Sequence, residues 1–112
     1  HAREVHGRFV RQRQVAEGVE ALDSGIVLQV EQAYLGFTAA NAVLEAQDEA
    51  LTQVDEALRI ANLSFENGII TSVELSDAEL ARTQTALGHL QAVHESVVAL
   101  ARLEQAVGMP LR

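Results

Sequence analysis

The only proline in this chain is Pro110, so nothing breaks a helix by steric clash across the preceding positions. Strand-like alternation of apolar and polar residues is missing, and turn-forming clusters are few. The chain therefore reads as all-α. Its strongest stop is Asn67-Gly68, two residues that tolerate the left-handed conformation closing a helix. Thr71 then stands three residues before Glu74, the spacing of a capping box at a new helix start. One helix is expected over about residues 3–65, a tip over 66–71 and a second helix over about 72–107, ended by Gly108-Met109-Pro110. This is a long antiparallel helical hairpin. A weaker interruption at Asp23-Ser24-Gly25 leaves room for a kink or break in the first helix. Without it the first helix would reach roughly 90 Å and the second only roughly 50 Å, so the hairpin is lopsided.

The apolar pattern is that of a coiled coil. Phe37, Leu44, Leu51, Leu58 and Phe65 recur every seven residues, with Ala40, Val54 and Ala61 between them. Val43, Ala46, Ala50, Ala57 and Ile60 form a second, smaller-residue stripe on an adjacent face. On the second helix, Val73, Leu80, Leu87, Leu90, Val97 and Ala101 are expected to supply the matching seam. Two stripes on one helix call for neighbours on two sides, and a lone hairpin gives only one. The chain reads as a stave of a larger bundle or barrel.

Composition narrows the function. Apolar residues make up 48% of the chain with only three Phe, one Tyr and no Trp, which suits thin helix-to-helix seams rather than a thick core. There is no cysteine, hence no disulfide or thiolate metal site. Sixteen acids oppose eight basic residues, all of them Arg, and Arg3, Arg8, Arg11 and Arg13 crowd the start. Beyond residue 13, four Arg against fifteen acids leave −11, which repels nucleic acid and anionic headgroups. The basic start reads as a solvated helix end, with phosphate contact the lesser alternative. No stretch approaches the ~20 apolar residues of a membrane-spanning helix, and none is expected to act as a signal peptide. If the parent protein lives in the cell envelope, this is expected to be a mature or excised piece of it.

The stretch Ala61-Asn62-Leu63-Ser64-Phe65-Glu66-Asn67-Gly68-Ile69-Ile70-Thr71-Ser72-Val73-Glu74-Leu75-Ser76-Asp77-Ala78-Glu79 resembles the hairpin-tip pattern of TolC-like outer-membrane efflux proteins. Val30-Glu31-Gln32-Ala33-Tyr34-Leu35 and Ala101-Arg102-Leu103-Glu104-Gln105-Ala106-Val107-Gly108 are similar to that family's upstream and closing segments. The resemblance covers roughly residues 20–111, and its specificity lies in three pieces in order at these spacings. It implies a homotrimer whose hairpins line a periplasmic α-barrel, continued by an outer-membrane β-barrel that these 112 residues do not contain. The paired acids after the tip favour the second of the family's two repeats. The parent would act as the exit duct of a tripartite efflux or type I secretion system in the Gram-negative envelope.

The same resemblance singles out two sets of residues. The tip, Asn67, Gly68, Ile69, Ile70 and Thr71, would meet a periplasmic adaptor (membrane-fusion) protein; otherwise Ile69 or Ile70 folds back to cap the seam. Glu74 and Asp77 share a helix face and would ring a narrow pore entrance with carboxylate; otherwise they are first-turn acids favoured by the helix dipole. Where some relatives carry a tyrosine and an arginine that latch the entrance, this chain has Phe65 and Ile70, so no polar latch is expected.

No enzyme is expected. There is no nucleophile–base–acid arrangement, no glycine-rich phosphate loop and no Glu-x-x-His pair for a di-metal helical bundle. His89 and His94 are five apart, wrong for sharing a metal, and His94 is expected to pack in the seam between Leu90 and Val97; His1 and His6 are expected to fray. No cofactor or metal is expected. Two rivals remain: the hairpin of the adaptor protein itself, whose tip looks similar over Leu63–Ala78 but whose flanking β halves are missing, and a generic helical interaction module. The chain alone is expected to self-associate, because the unpaired half of its first helix leaves apolar residues in water.

Overall fold

The computed structural model describes residues 2–108 and consists of two helices, α1 (Ala2–Glu66) and α2 (Ser72–Val107). They pack antiparallel along one side of a rod whose axes measure 100 × 22 × 14 Å. At 1.5 Å per residue the 65 residues of α1 account for roughly 98 Å, so the helix is close to straight. It runs unbroken through Asp23-Ser24-Gly25, where the sequence had left room for an interruption. Gly25 costs about 1 kcal/mol relative to Ala in a helix interior. A break would forfeit several backbone hydrogen bonds at a site where no packing partner would be gained, as everything around Gly25 is open.

Three side-chain contacts set the register. The Arg82 Nε donates to Asp55 Oδ1 at 2.8 Å, the His89 Nε2 lies 2.5 Å from Asp48 Oδ1, and the Ser96 hydroxyl donates to Asn41 Oδ1 at 2.8 Å. Each step along this ladder is seven residues on both helices. The rungs therefore recur on one edge of the seam at every second turn, which is the geometry of a heptad coiled coil. Continuing the ladder places the end of α2, Val107, opposite Val30. Residues 2–29 of α1 extend beyond it with no helix beside them.

Between the rungs the two helices contribute unequally. From α1, Phe37, Leu44, Leu51 and Leu58 are half-buried, with Ala40, Val54 and Ala61 between them, as the heptad reading predicts. Phe65 at the end of that stripe is exposed. From α2 the seam is Leu75, Ala78, Arg82, Thr85, His89, Ala92, Ser96, Ala99, Leu103 and Ala106, mostly small or polar. Only Ala92 and Leu103, at 3% and 7% exposure, are buried outright.

This corrects the expected α2 seam: Val73, Leu80, Leu87, Leu90, Val97 and Ala101 are all exposed. Val73, Leu80 and Leu87 each fall two positions before a seam residue, about 160° around the helix at 3.6 residues per turn. The physical reason is fit. Bulky side chains on α1 fill the space between the axes, so α2 approaches through its small residues. His94 is likewise exposed, off the seam that His89, Ala92 and Ser96 define. Gly88 sits where the helices come close, since a Cβ there would lie 3.1 Å from the Gln47 amide oxygen.

On the outer surface of α1, Arg59 grips both carboxylate oxygens of Glu56, at 3.1 and 2.7 Å. That hydrogen bonding, then the charge attraction, holds the Glu56 carboxyl below its usual range. The pair's small contribution is present above the ordinary carboxylate pKa and lost as pH falls through the lowered one.

The unequal seam separates two leucines of equal size. Leu103→Ala is expected to destabilise the hairpin by about 2–3 kcal/mol, and Leu87→Ala by under about 0.5 kcal/mol. Thermal unfolding followed by circular dichroism measures both, and equal losses would show that the seam is misplaced.

Candidate functional site: the hairpin tip

The turn is built by backbone chemistry at both ends. At the end of α1 the Ile69 N–H donates to Ser64 O at 2.8 Å and the Gly68 N–H to Phe65 O at 3.0 Å. This pair of bonds is the Schellman motif, and it requires the residue at Gly68 to be left-handed, as its φ of 71° shows. Asn67 adds a side-chain bond from its Nδ2 to Leu63 O at 2.7 Å. Across the tip, Thr71 takes extended backbone angles and its hydroxyl accepts from the Glu74 N–H at 3.2 Å. The mirror device closes the far end of α2, where Gly108 is left-handed and its N–H donates to Glu104 O. Met109 and Pro110, expected to reinforce that stop, lie outside the described residues, as does His1.

The two tip isoleucines part company. Ile70 is half-buried, while Ile69 stays 75% exposed. In a Schellman motif the residue after the glycine commonly packs on the preceding helical turn. Ile69 does not. Phe65 is exposed beside it, so the tip presents an apolar surface on a rigid, hydrogen-bonded turn. Phe65 and Ile70 offer neither hydroxyl nor charge.

Glu74 and Asp77 are both exposed on the first turns of α2. They immediately precede Leu75 and Ala78, which face the seam, so the two carboxylates line one edge of the hairpin near its tip. The nearest cations along the chain are already engaged, Arg59 with Glu56 and Arg82 with Asp55. Together with Glu66 and Glu79, Glu74 and Asp77 therefore leave the tip strongly negative. A field of this sign concentrates cations in any confined space it borders.

Apolar periodicity alone does not reveal the ladder. Its signal was present as Asn41, Asp48 and Asp55 on one helix and Arg82, His89 and Ser96 on the other, each set stepping by seven. His89 thus serves the hairpin's pairing, with its side chain 25% exposed. Among the described residues no cluster of His, Asp and Glu is arranged to hold a metal, and no helix is long and apolar enough to cross a membrane.

Compared with known proteins, residues 10–109 match the family model described as outer membrane efflux protein. No curated protein and no solved structure matches the chain.

The cap and the turn can be tested separately. Thr71→Ala is expected to cost about 1 kcal/mol through the lost cap, and Gly68→Ala about 1 kcal/mol through left-handed strain. Urea unfolding of each variant checks this, and a neutral Gly68→Ala would mean the tip does not need its left-handed residue.

Proposed function

The chain belongs to the outer membrane efflux protein family, and from that premise we propose that it is one stave of a periplasmic α-barrel. A role in outer-membrane efflux follows from membership itself, and proteins of this family are channels rather than enzymes. The finer reading is that the parent protein is a homotrimeric exit duct of a tripartite efflux or type I secretion system. Its hairpin tip docks onto a periplasmic adaptor protein.

The observation that carries this reading is the pair of apolar faces turned away from the hairpin's own seam. Leu80, Leu87, Leu90 and Val97 on α2, and Val43 and Ile60 on α1, are all exposed. Beside them, Gly36, Ala39, Ala40 and Ala99 lie in an open groove of about 560 Å³ that Gln32, His94, Glu95 and Arg102 also line. A surface of large side chains next to a small-residue groove suits the packing of further helices on both sides. A hairpin working alone would leave that apolar area in water at roughly 25 cal/mol per Å².

At the tip, Asn67, Gly68, Ile69, Ile70 and Thr71 divide the work. Gly68 and Thr71 fix the turn, Ile70 anchors it, and Ile69 is the contact offered to the adaptor. Glu74 and Asp77 repeat in each protomer and ring the entrance, where carboxylates attract cations and raise the energy of anions.

In the full-length parent, Ile69→Asp is expected to weaken adaptor capture at least roughly tenfold while leaving trimer assembly intact. Glu74→Gln with Asp77→Asn is expected to leave capture unchanged and abolish cation preference in planar-bilayer recordings. Unaltered selectivity would assign those acids to helix capping alone.

A further inference from the structure

The hairpin turn carries a chemically reactive pair. Asn67 is followed by Gly68, and a glycine nitrogen, with no side chain beside it, is the least hindered backbone nucleophile for the carboxamide that precedes it. The chain's other two asparagines, Asn41 and Asn62, are followed by Ala42 and Leu63, whose side chains obstruct that approach. Both also lie inside α1, whereas Asn67 is exposed in the turn beyond it.

We propose that Asn67 is a site of spontaneous deamidation whose rate is set by the hydrogen bonds of the turn. The Gly68 nitrogen attacks Asn67 Cγ and loses its proton, which leaves with the Nδ2 group as ammonia. A cyclic imide (succinimide) then joins the two residues. Water opens that ring at either carbonyl. One product is aspartate; the other is isoaspartate, in which the main chain runs through the former side chain and is longer by one methylene. Amide and water become acid and ammonia, so nothing is oxidised or reduced.

The folded tip opposes the first step at both reacting atoms. The attacking nitrogen is engaged, because the Gly68 N–H donates to Phe65 O at 3.0 Å. The target is pinned as well: Asn67 Nδ2 and the Asn67 backbone N–H both donate to Leu63 O, at 2.7 and 3.1 Å. Ring closure needs the carboxamide carbon against a Gly68 nitrogen that has lost its proton, so these bonds must open first. Turns and helix ends open locally without global unfolding, and conversion runs through such openings.

The product changes the tip in a defined direction. A carboxylate has no hydrogen to donate to Leu63 O, and it stands at the end of α1, where the helix dipole is negative. It joins Glu66, Glu74, Asp77 and Glu79 in a region whose nearest arginines are engaged with Glu56 and Asp55. The isoaspartyl form also lengthens the main chain directly before the left-handed Gly68. This inference concerns the turn itself and does not rest on the docking reading.

Trypsin cuts after Arg59 and Arg82, so a single peptide, 60–82, carries both Asn62 and Asn67. The intact chain and that peptide, too short to hold the hairpin, are kept in the same warm neutral buffer. Mass spectrometry with chromatographic separation of isoaspartate follows both. The peptide is expected to convert at Asn67, mostly to isoaspartate, with Asn62 unchanged. The intact chain is expected to convert at the same residue at least roughly tenfold more slowly, which corresponds to about 1.4 kcal/mol or more for opening the turn. Gly68→Ala in the peptide is expected to slow conversion about tenfold, because its Cβ hinders the attack. Asn67→Asp in the intact chain is expected to lower the thermal midpoint by roughly 2–5 °C. Equal rates in chain and peptide, aspartate without isoaspartate, a Gly68→Ala peptide as fast as its parent, or an unchanged midpoint for Asn67→Asp would overturn the proposal.

Discussion

The arrangement depends on a difference in bulk across one seam. Leucines and a phenylalanine on α1 face a seam on α2 in which alanines, a serine and a threonine outnumber the larger Leu75, Arg82, His89 and Leu103, so the second helix comes close through a mostly small face. Once α2 is seated that way, Val73, Leu80, Leu87, Leu90 and Val97 are left exposed. The exposed stripe is thus a consequence of the intrachain packing. Hydrophobic burial is modest, with two buried residues among those described, so specificity falls to polar contacts at fixed spacing. The ladder from Asp55–Arg82 through Asp48–His89 to Asn41–Ser96 supplies it. Such exposed pairs are worth little individually, about 0.2–1 kcal/mol, yet a slip of one residue would misplace every rung together.

Much of the hairpin was legible in the sequence because its punctuation is strong. Gly68 takes the left-handed conformation and Thr71 caps α2 as their residue types suggest, while Asn67 stays out of the left-handed region and contributes a side-chain bond to Leu63 O. The heptad stripe on α1 was equally plain. The side of α2 that meets α1 was not, since hydropathy ranks Leu80 and Leu87 above Ala92 and Ser96. Burial in a two-helix seam is decided by size complementarity between partners, which no single helix encodes. Continuity at Asp23-Ser24-Gly25 was ambiguous for a related reason. Local propensity disfavours helix there by only about 1 kcal/mol, less than the loss of several backbone hydrogen bonds.

At the tip, the sequence gives the two isoleucines equal standing. The structure separates them by burial, leaving Ile69 exposed and Ile70 half-buried, a difference that hydropathy does not carry. The acidic character of Glu74 and Asp77 was visible at once. That Arg59 and Arg82 are both occupied elsewhere was not, and it is this that leaves the tip charge unopposed.

The ladder also orders events in time. Its rungs join residues 27, 41 and 55 positions apart, so the one nearest the tip closes the shortest loop. Closure entropy rises with loop length, and the capped turn holds the first rung almost in place. The hairpin therefore zips from the turn outward. During synthesis at about 5–20 residues per second, all of α1 emerges seconds before the last turns of α2 exist. For that interval α1 is a long helix without its partner, and its eleven carboxylates against five arginines give it a net negative charge that holds it apart from its neighbours on the same message.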